Sequence, residues 1–244
     1  MTLFYAPDIL TTLTLPEGES QHCAKVLRMQ PGDEAEVIDG RGNAYSVRIA
    51  VPHQRHTMIE ITGSRTVAPT WPGLITVAVA PTKHLDRMEW LVEKLTEIGV
   101  NRIVPLLGRR SERKEIKVER LEKIAISAMK QSLKATLPEI LPMTPITQFI
   151  ASCEGERYMA YCDRSIPRRE LVEVYRPGCD STIMIGPEGD FAPEEIHAAL
   201  DAGWHPVSLG PHRLRTETAA LTACETFHIL NAAAACNRLI TPAE

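Results

Sequence analysis

The chain has 244 residues, of which 44% are hydrophobic and 24% charged, with a formal net charge of -4. This composition is typical of a soluble globular protein and excludes wholesale disorder or a fibrous repeat. The length suits one or two domains. No stretch approaches the ~20 apolar residues of a membrane helix, and the start, MTLFYAPDIL, lacks the basic and apolar segments of a signal peptide. We therefore expect a cytoplasmic protein.

The sequence offers little for a metal or disulfide site. Its six cysteines are scattered without a C-x-x-C pair, which favours reduced, packed thiols. His53 and His56 have H-x-x-H spacing, but no cysteine or carboxylate completes a ligand set, so we interpret them as surface residues. The sequence also lacks the motifs of dinucleotide, nucleoside triphosphate, serine hydrolase and zinc protease sites. No metal is expected.

Residues 67–73 carry two prolines and a glycine and separate two differently patterned regions. We place a domain boundary there, with one domain at 1–70 and a second at 71–244. The first region predicts a small β-barrel with a brief helix, because its short apolar or alternating runs are separated by a glycine-containing turn. The helix is predicted at 20–28 and the strands at 34–39, 44–50 and 57–62.

In the second region, short apolar runs alternate with helical patterns, which is typical of a parallel α/β sheet covered on both faces. Helices are predicted where apolar residues recur with helical spacing, from Met88 to Ile98 and from Val118 to Leu133. The last helix, 217–238, is apolar nearly all round, so we expect a homodimer partner to cover it. Strands are predicted at 74–80, 102–107, 158–162, 181–186 and 206–210.

Positive charge is concentrated in residues 102–134, which contain ten Lys or Arg against four Glu, a local excess of +6. Such an excess favours contact with a nucleic acid backbone, because each neutralised phosphate releases condensed counterions. A solvated helix face with i,i+4 ion pairs, such as Glu119 with Lys123, explains the charge equally well.

Two glycine-containing loops follow apolar strands and precede helices, the position at which α/β proteins bind ligands. The first loop, 185–191, leads into a helix marked by Pro193 near its start. Its carboxylates, with Glu194 and Glu195 beyond them, would oppose a phosphate, so a neutral or cationic ligand is favoured. An ordinary tight connection is the alternative.

The second loop, 208–219, leads into the apolar final helix. Thr216 or Thr218 would cap that helix. Capping leaves Arg213 and Arg215 unexplained, because positive charge is unfavourable at a helix start. These arginines therefore predict a second role for the loop.

The two loops, IGPEGDF and SLGPHRLRTETA, resemble the C-terminal signature of the RsmE family of ribosomal small-subunit RNA (uracil-N(3))-methyltransferases, within the SPOUT superfamily. The resemblance implies a PUA-like RNA-binding β-barrel at 1–70 and a trefoil-knot α/β methyltransferase domain at 71–244. It also implies a homodimer formed through the C-terminal helix and the knot region. Further stretches that resemble the family's motifs in order are His22, 26–28, 31–33, 39–42, 81–83, 87–90, 93–100, 105–106, 110–111 and 131–132.

The implied function is transfer of a methyl group from S-adenosylmethionine to N(3) of a specific uridine in 16S ribosomal RNA, in the assembled small subunit. Other knotted RNA methyltransferases, acting on a ribose hydroxyl or a transfer RNA guanine, remain alternatives. So does a noncatalytic RNA-binding protein of ribosome assembly. The implied cofactor-binding residues are Ile185, Gly186, Pro187, Glu188, Gly189, Ser208, Leu209, Gly210, Leu214, Arg215 and Thr216.

Catalytic and RNA-binding residues are assigned on the same basis. Loss of the uracil N(3) proton leaves negative charge that a positioned guanidinium would stabilise, and we assign this role to Arg215. Glu217 would orient Arg215, accept the proton through water, or only favour the helix start. The residues expected to contact RNA are Arg28, Arg41, Lys83, Arg109, Arg110 and Lys134.

The chain departs from the family pattern in three places. Family members commonly have Gly-Gly where this chain has Gly189-Asp190, and Gly-Arg where it has Leu133-Lys134. They have Arg-Ile where it has His212-Arg213. Lys134 keeps the charge of an arginine but loses its bidentate geometry.

Overall fold

The structure, a computed structural model, describes residues 2–162 and 166–240. It divides the chain into an N-terminal unit, Met1–Thr70 with Ile126–Leu137, and a C-terminal unit, Trp71–Ala125 with Pro138–Glu244. The sequence places residues 126–137 in the second domain, whereas they group with the first. The reason is apolar packing, since Met129 and Ala135 share a buried cluster with Ile38 and Ala44.

The N-terminal unit is a four-stranded sheet in the order β1-β2-β3-β4, in which β1 and β2 are parallel and the other pairs antiparallel. The three predicted strands are confirmed, and the predicted helix is a short α-helix continued by a π-helical turn, His22–Val26. Phe4, Cys23 and Val37 are fully buried in its core. The elements are β1 Leu3–Tyr5, α1 Ile9–Thr12, α2 Glu17–Gln21, β2 Glu34–Ile38, β3 Asn43–Val51 and β4 Met58–Thr66.

The C-terminal unit contains an eight-stranded sheet whose strands all pair in parallel. The five predicted strands are confirmed. The strands are β5 Ile75–Val79, β6 Arg102–Leu107, β7 Glu139–Ile140, β8 Thr144–Pro145, β9 Glu156–Ala160, β10 Arg169–Glu170, β11 Ser181–Ile185 and β12 His205–Ser208. The helices are α3 Leu85–Ile98, α4 Val118–Gln131, α5 Ile146–Ser152, α6 Leu171–Val174, α7 Pro193–Asp201 and α8 Thr216–Ile240.

The strand order β10-β12-β9-β11-β5-β6-β7, with β8 beside β6, decides which loops meet. Strand β9 lies between β11 and β12. Because parallel strands end at the same edge of a sheet, the loops after β9, β11 and β12 lie side by side. Strands β5 and β11 are buried at every position, as expected for strands covered on both faces.

Helix α8 buries one face within its own unit. Ala220, Ala223, Cys224 and Phe227 on that face are fully buried, whereas Ile229 on another face is 57% exposed. The small residues allow close approach of the helix to the strands beneath it. Within residues 2–162 and 166–240, no helix is long and apolar enough to cross a membrane.

Candidate active site

A cavity of about 480 Å³ is formed where β9, β11 and β12 end. All of the predicted cofactor-binding residues line it except Gly189, and the predicted catalytic residues Arg215 and Glu217 line it as well. The carbonyl oxygen of Gly189 instead accepts a hydrogen bond from Arg110 Nη1 at 3.0 Å. The lining residues are 160–162, 185–188, 207–210 and 212–217, with Arg87, Arg168, Asp190 and Ala219.

The loop after β11, residues 186–192, is fixed by contacts of its side chains with backbone groups. A Cβ at Gly186 would lie 3.0 Å from the ring of Phe191, so a larger residue there would force the ring to shift. Glu188 Oε1 accepts a hydrogen bond from the backbone N–H of Lys83 at 2.9 Å. Asp190 has φ +62° and accepts hydrogen bonds from the backbone N–H groups of Cys162 and Phe191.

The loop after β12, residues 209–215, is joined to the first loop through Thr216. Its hydroxyl donates to the carbonyl oxygen of Gly186 at 3.2 Å, so Thr216 connects the two loops. Thr216 is also the first residue of α8, not the residue before it. At the start of the loop, Gly210 has φ +112°, a conformation that favours glycine.

The loop after β9 completes the cavity, and the sequence did not predict it. Tyr161 and Cys162 follow the strand and line the cavity with Arg168. The Arg168 guanidinium lies 5.5 Å from the centre of the Tyr161 ring and donates to the Tyr161 carbonyl oxygen. The available signal was the predicted strand 158–162, but only the strand order reveals that its end lies between the other two loops.

Charges of both signs line the cavity, with four guanidinium groups and three carboxylates among its residues. Glu217 Oε1 lies 3.7 Å from Arg87 Nη1. The Glu217 side chain is only 10% exposed, so this pair is screened less than a surface pair. Arg215 is exposed at the cavity. The contact recorded for Glu217 is thus with Arg87, a residue that the sequence did not assign to the site.

The carboxylates after the first loop do not contribute to the cavity as the sequence suggested. Glu195 is buried and accepts hydrogen bonds from the backbone N–H groups of Ala192, at 2.8 Å, and Arg109, at 2.9 Å. Glu194 lies 3.4 Å from Arg109 Nη1. Both glutamates therefore lie in the first turn of α7 and contact Arg109, the second residue after β6.

The predicted RNA-binding residues of the C-terminal unit, Lys83, Arg109 and Arg110, are exposed. Lys83 Nζ lies 3.2 Å from Glu112. The structure therefore leaves these cations accessible but pairs each of them with a nearby acceptor.

In the N-terminal unit, Arg28 and Arg41 are exposed and Lys134 is partly buried. Arg41 lies in a turn organised by Asp39, whose carboxylate accepts hydrogen bonds from the backbone N–H of Arg41 at 2.7 Å and from the Asn43 side chain at 2.8 Å. Burial opposes ionisation of Asp39, but these hydrogen bonds lower its pKa below the usual value. Arg41 is thus exposed on a turn that these hydrogen bonds stabilise.

The excess positive charge of residues 102–134 is partly balanced by acids on other elements. Arg120 pairs with Glu89 at 2.6 Å and Lys130 pairs with Glu19 at 2.6 Å. These ion pairs join separate elements, unlike the predicted i,i+4 pair of Glu119 and Lys123. They stabilise the packing of α4 within each unit.

Comparison with known proteins identifies the family. The sequence family described as RNA methyltransferase domain matches residues 69–228, and the family described as RNA methyltransferase PUA domain matches residues 15–58. Ribosomal RNA small subunit methyltransferase E of Aquifex aeolicus is 30% identical over 228 residues, which cover 91% of this chain and 96% of that protein. The chain belongs to the ribosomal RNA small subunit methyltransferase E family.

Solved structures agree with the family assignment. A probable rRNA-methyltransferase from Porphyromonas gingivalis is 47% identical, with a TM-score of 0.91, and the match covers 96% of this chain and 100% of that one. The ribosomal RNA small subunit methyltransferase E from Neisseria gonorrhoeae, bound to S-adenosyl methionine, is 30% identical with a TM-score of 0.83, covering 94% of this chain and 98% of that one. The predicted family, the α/β fold with a parallel sheet and the N-terminal PUA domain are confirmed.

Proposed function

We propose that this chain transfers a methyl group from S-adenosylmethionine to N(3) of a specific uridine in 16S ribosomal RNA, in the small ribosomal subunit. The observation that supports this most strongly is the cavity, which lies between the two loops that carry the family resemblance. The Neisseria gonorrhoeae relative with S-adenosyl methionine bound supports the choice of cofactor. Such a substrate would be met in the cytoplasm.

The residues of the cavity fit this cofactor. S-adenosylmethionine supplies an electrophilic methyl group on a cationic sulfur, and it carries an ammonium group and a carboxylate but no phosphate. The cavity offers both carboxylates and guanidinium groups, and Ile185, Leu209 and Leu214 add apolar surface. We assign cofactor binding to Ile185–Glu188, Ser208–Gly210 and Leu214–Thr216, where backbone groups at strand ends are available as hydrogen-bonding partners.

Arg215 is assigned the role of stabilising the negative charge that develops on the uracil. It lines the cavity from an exposed position, so its guanidinium is available to a base presented there. When the N(3) proton leaves, the negative charge spreads to the carbonyl oxygens, and a fixed guanidinium in a water-poor site stabilises it. The target base must be taken out of its stack to reach the cavity.

Glu217 is assigned to accepting the N(3) proton through water or to orienting Arg215. Its ion pair with Arg87 holds the carboxylate in one place on the cavity wall. The first turn of α8 adds a favourable interaction with the negative charge.

RNA binding is assigned to the exposed cations Arg28, Arg41, Lys83, Arg109 and Arg110, with Lys134. Their removal would weaken RNA affinity and reduce its dependence on salt without changing cofactor affinity. A homodimer through α8 also remains a proposal, taken from the resemblance and from the apolar sequence of that helix. A trefoil knot in the C-terminal unit also remains a proposal, taken from the resemblance.

Incubation with methyl-labelled S-adenosylmethionine tests the proposed function. Unmodified small subunits and naked 16S RNA serve as substrates, followed by digestion to nucleosides and chromatography. We expect label in N(3)-methyluridine, with more from subunits than from naked RNA. Label in a ribose-methylated nucleoside or a methylguanosine would indicate another target. A protein that binds RNA but not the cofactor in calorimetry would be a noncatalytic binding protein.

A further inference from the structure

Asp190 has an unusual backbone and two occupied carboxylate oxygens. Its φ of +62° lies in the left-handed region, which an aspartate tolerates but a glycine adopts more readily. Oδ2 accepts a hydrogen bond from the backbone N–H of Cys162 at 2.8 Å, and Oδ1 accepts one from the backbone N–H of Phe191 at 2.9 Å. The two hydrogen bonds of the carboxylate, which a glycine could not make, stabilise Asp190 in this left-handed conformation.

The hydrogen bond from Cys162 connects two walls of the cavity, whereas the bond from Phe191 lies within the loop after β11. Cys162 follows β9 and lines the cavity between the loops after β11 and β12. Phe191 is buried, and its ring packs against Gly186, which lines the neighbouring wall. The Asp190 side chain therefore joins the end of β9 to the loop after β11.

These bonds are of a strong kind. Hydrogen bonds from backbone N–H groups to a carboxylate are charge-assisted and are shorter and stronger than neutral ones. The Asp190 backbone N–H also donates to the carbonyl oxygen of Pro187 at 2.9 Å, which closes the turn of the loop. The turn thus presents the carboxylate to Cys162 without further rearrangement.

We propose that Asp190 is a positioning residue of the cavity, which fixes the end of β9 against the loop after β11 and so preorganises the wall that binds the cofactor. This inference rests on the proposed function, because it takes S-adenosylmethionine as the ligand.

Three variants test the proposal. Asp190→Gly keeps the backbone conformation accessible and removes both acceptors, whereas Asp190→Asn keeps one neutral acceptor oxygen. Leu133→Gly is the matched control, because Leu133 has a left-handed backbone, φ +56°, in the N-terminal unit. Hydrogen exchange of the Cys162 amide and calorimetric titration with S-adenosylmethionine are measured for each variant and the wild type, with melting temperature as a check of folding.

For Asp190→Gly we expect about tenfold weaker binding of S-adenosylmethionine and at least tenfold faster exchange of the Cys162 amide, as the loss of a charge-assisted hydrogen bond requires. Asp190→Asn should lie between this variant and the wild type, and Leu133→Gly should bind as the wild type does. If Asp190→Gly binds the cofactor with unchanged affinity, or the Cys162 amide exchanges at the wild-type rate, the proposal is wrong. Failure of the wild type to bind S-adenosylmethionine would overturn the proposed function instead.

Discussion

The two loops that meet at the cavity differ in how they use their charged side chains. In the loop after β11, the carboxylates of Glu188 and Asp190 accept hydrogen bonds from backbone N–H groups of neighbouring segments. In the loop after β12, Arg213 and Arg215 are exposed, and both line the cavity. The carboxylates of the first loop therefore stabilise the conformation of that loop. The arginines of the second loop remain available to a ligand in the cavity.

This difference separates two kinds of contribution to the proposed activity. Changes in the first loop should alter the shape of the cavity and hence cofactor binding and stability. Changes to the arginines of the second loop should alter the chemical step with little effect on folding. The link between Thr216 and Gly186 is the point at which the two contributions meet.

The largest effect is expected for Arg215→Ala. Removing one group that stabilises developing charge typically lowers kcat by about 10²–10³-fold. Steady-state methylation with saturating cofactor and RNA measures kcat, and calorimetry measures S-adenosylmethionine affinity, which should fall much less than kcat because Arg215 is only one of the residues assigned to the cofactor. Arg215→Lys is the control, and it should recover part of the rate because it keeps the charge but not the planar geometry. Wild-type turnover in Arg215→Ala would show that the second loop does not act in the chemical step.

A methyl group added to the first loop should disturb its shape. In Gly186→Ala the new Cβ would lie 3.0 Å from the Phe191 ring, so we expect a loss of about 1–3 kcal/mol of unfolding free energy. Urea denaturation measures this loss, and calorimetry should show weaker cofactor binding. Gly189→Ala is the matched control, because its Cβ would be 3.5 Å from Arg110 Cβ, an ordinary contact. Equal stabilities of the two variants would contradict the claim that close packing of Gly186 against Phe191 fixes the shape of the first loop.

The ion pair of Arg87 and Glu217 should make the effects of substituting these two residues on catalysis non-additive. A double-mutant cycle with Arg87→Gln and Glu217→Gln should give a coupling of about 1 kcal/mol in kcat/KM, because the Glu217 side chain is only 10% exposed. Arg87→Lys should retain part of that coupling. Additive effects of the two substitutions would mean that the pair does not orient Glu217.

The smallest effect concerns a left-handed residue outside the loops. Leu133 is 77% exposed with φ +56°, so Leu133→Gly should relieve strain while losing little burial. The greater freedom of glycine in the unfolded chain offsets part of this gain, leaving about 0.5 kcal/mol of added stability. Urea denaturation compares it with Asp190→Gly, which should lose stability because it loses hydrogen bonds. A gain in both variants would contradict the role given to the Asp190 carboxylate.

Much of the fold could be predicted from the sequence, because buried parallel strands leave continuous apolar runs. Strands β5, β6, β9, β11 and β12 each coincide with such a run. The return of residues 126–137 to the N-terminal unit could not be predicted, because the apolar character of Met129 and Ala135 does not specify which residues they pack against. Their packing partners are remote in sequence.

The loops after β11 and β12 could be predicted as a ligand site from their sequence and their resemblance to the family. The part played by the loop after β9 could not. The place of β9 between β11 and β12 follows from strand order, which periodicity does not encode. For the same reason the sequence gives no sign that Asp190 contacts Cys162 or that Arg87 contacts Glu217. These contacts depend on how the elements pack together, and they determine which partners Asp190 and Glu217 have.

A crystal structure with S-adenosylmethionine tests the central claim most directly, because it locates the ligand relative to both loops. We predict ligand density in the cavity, in contact with Ile185–Glu188 and with Leu209–Thr216, and with Arg215 on the side of the methyl group that is open to the uracil base. Density on another surface, or contact with only one of the two loops, would contradict it.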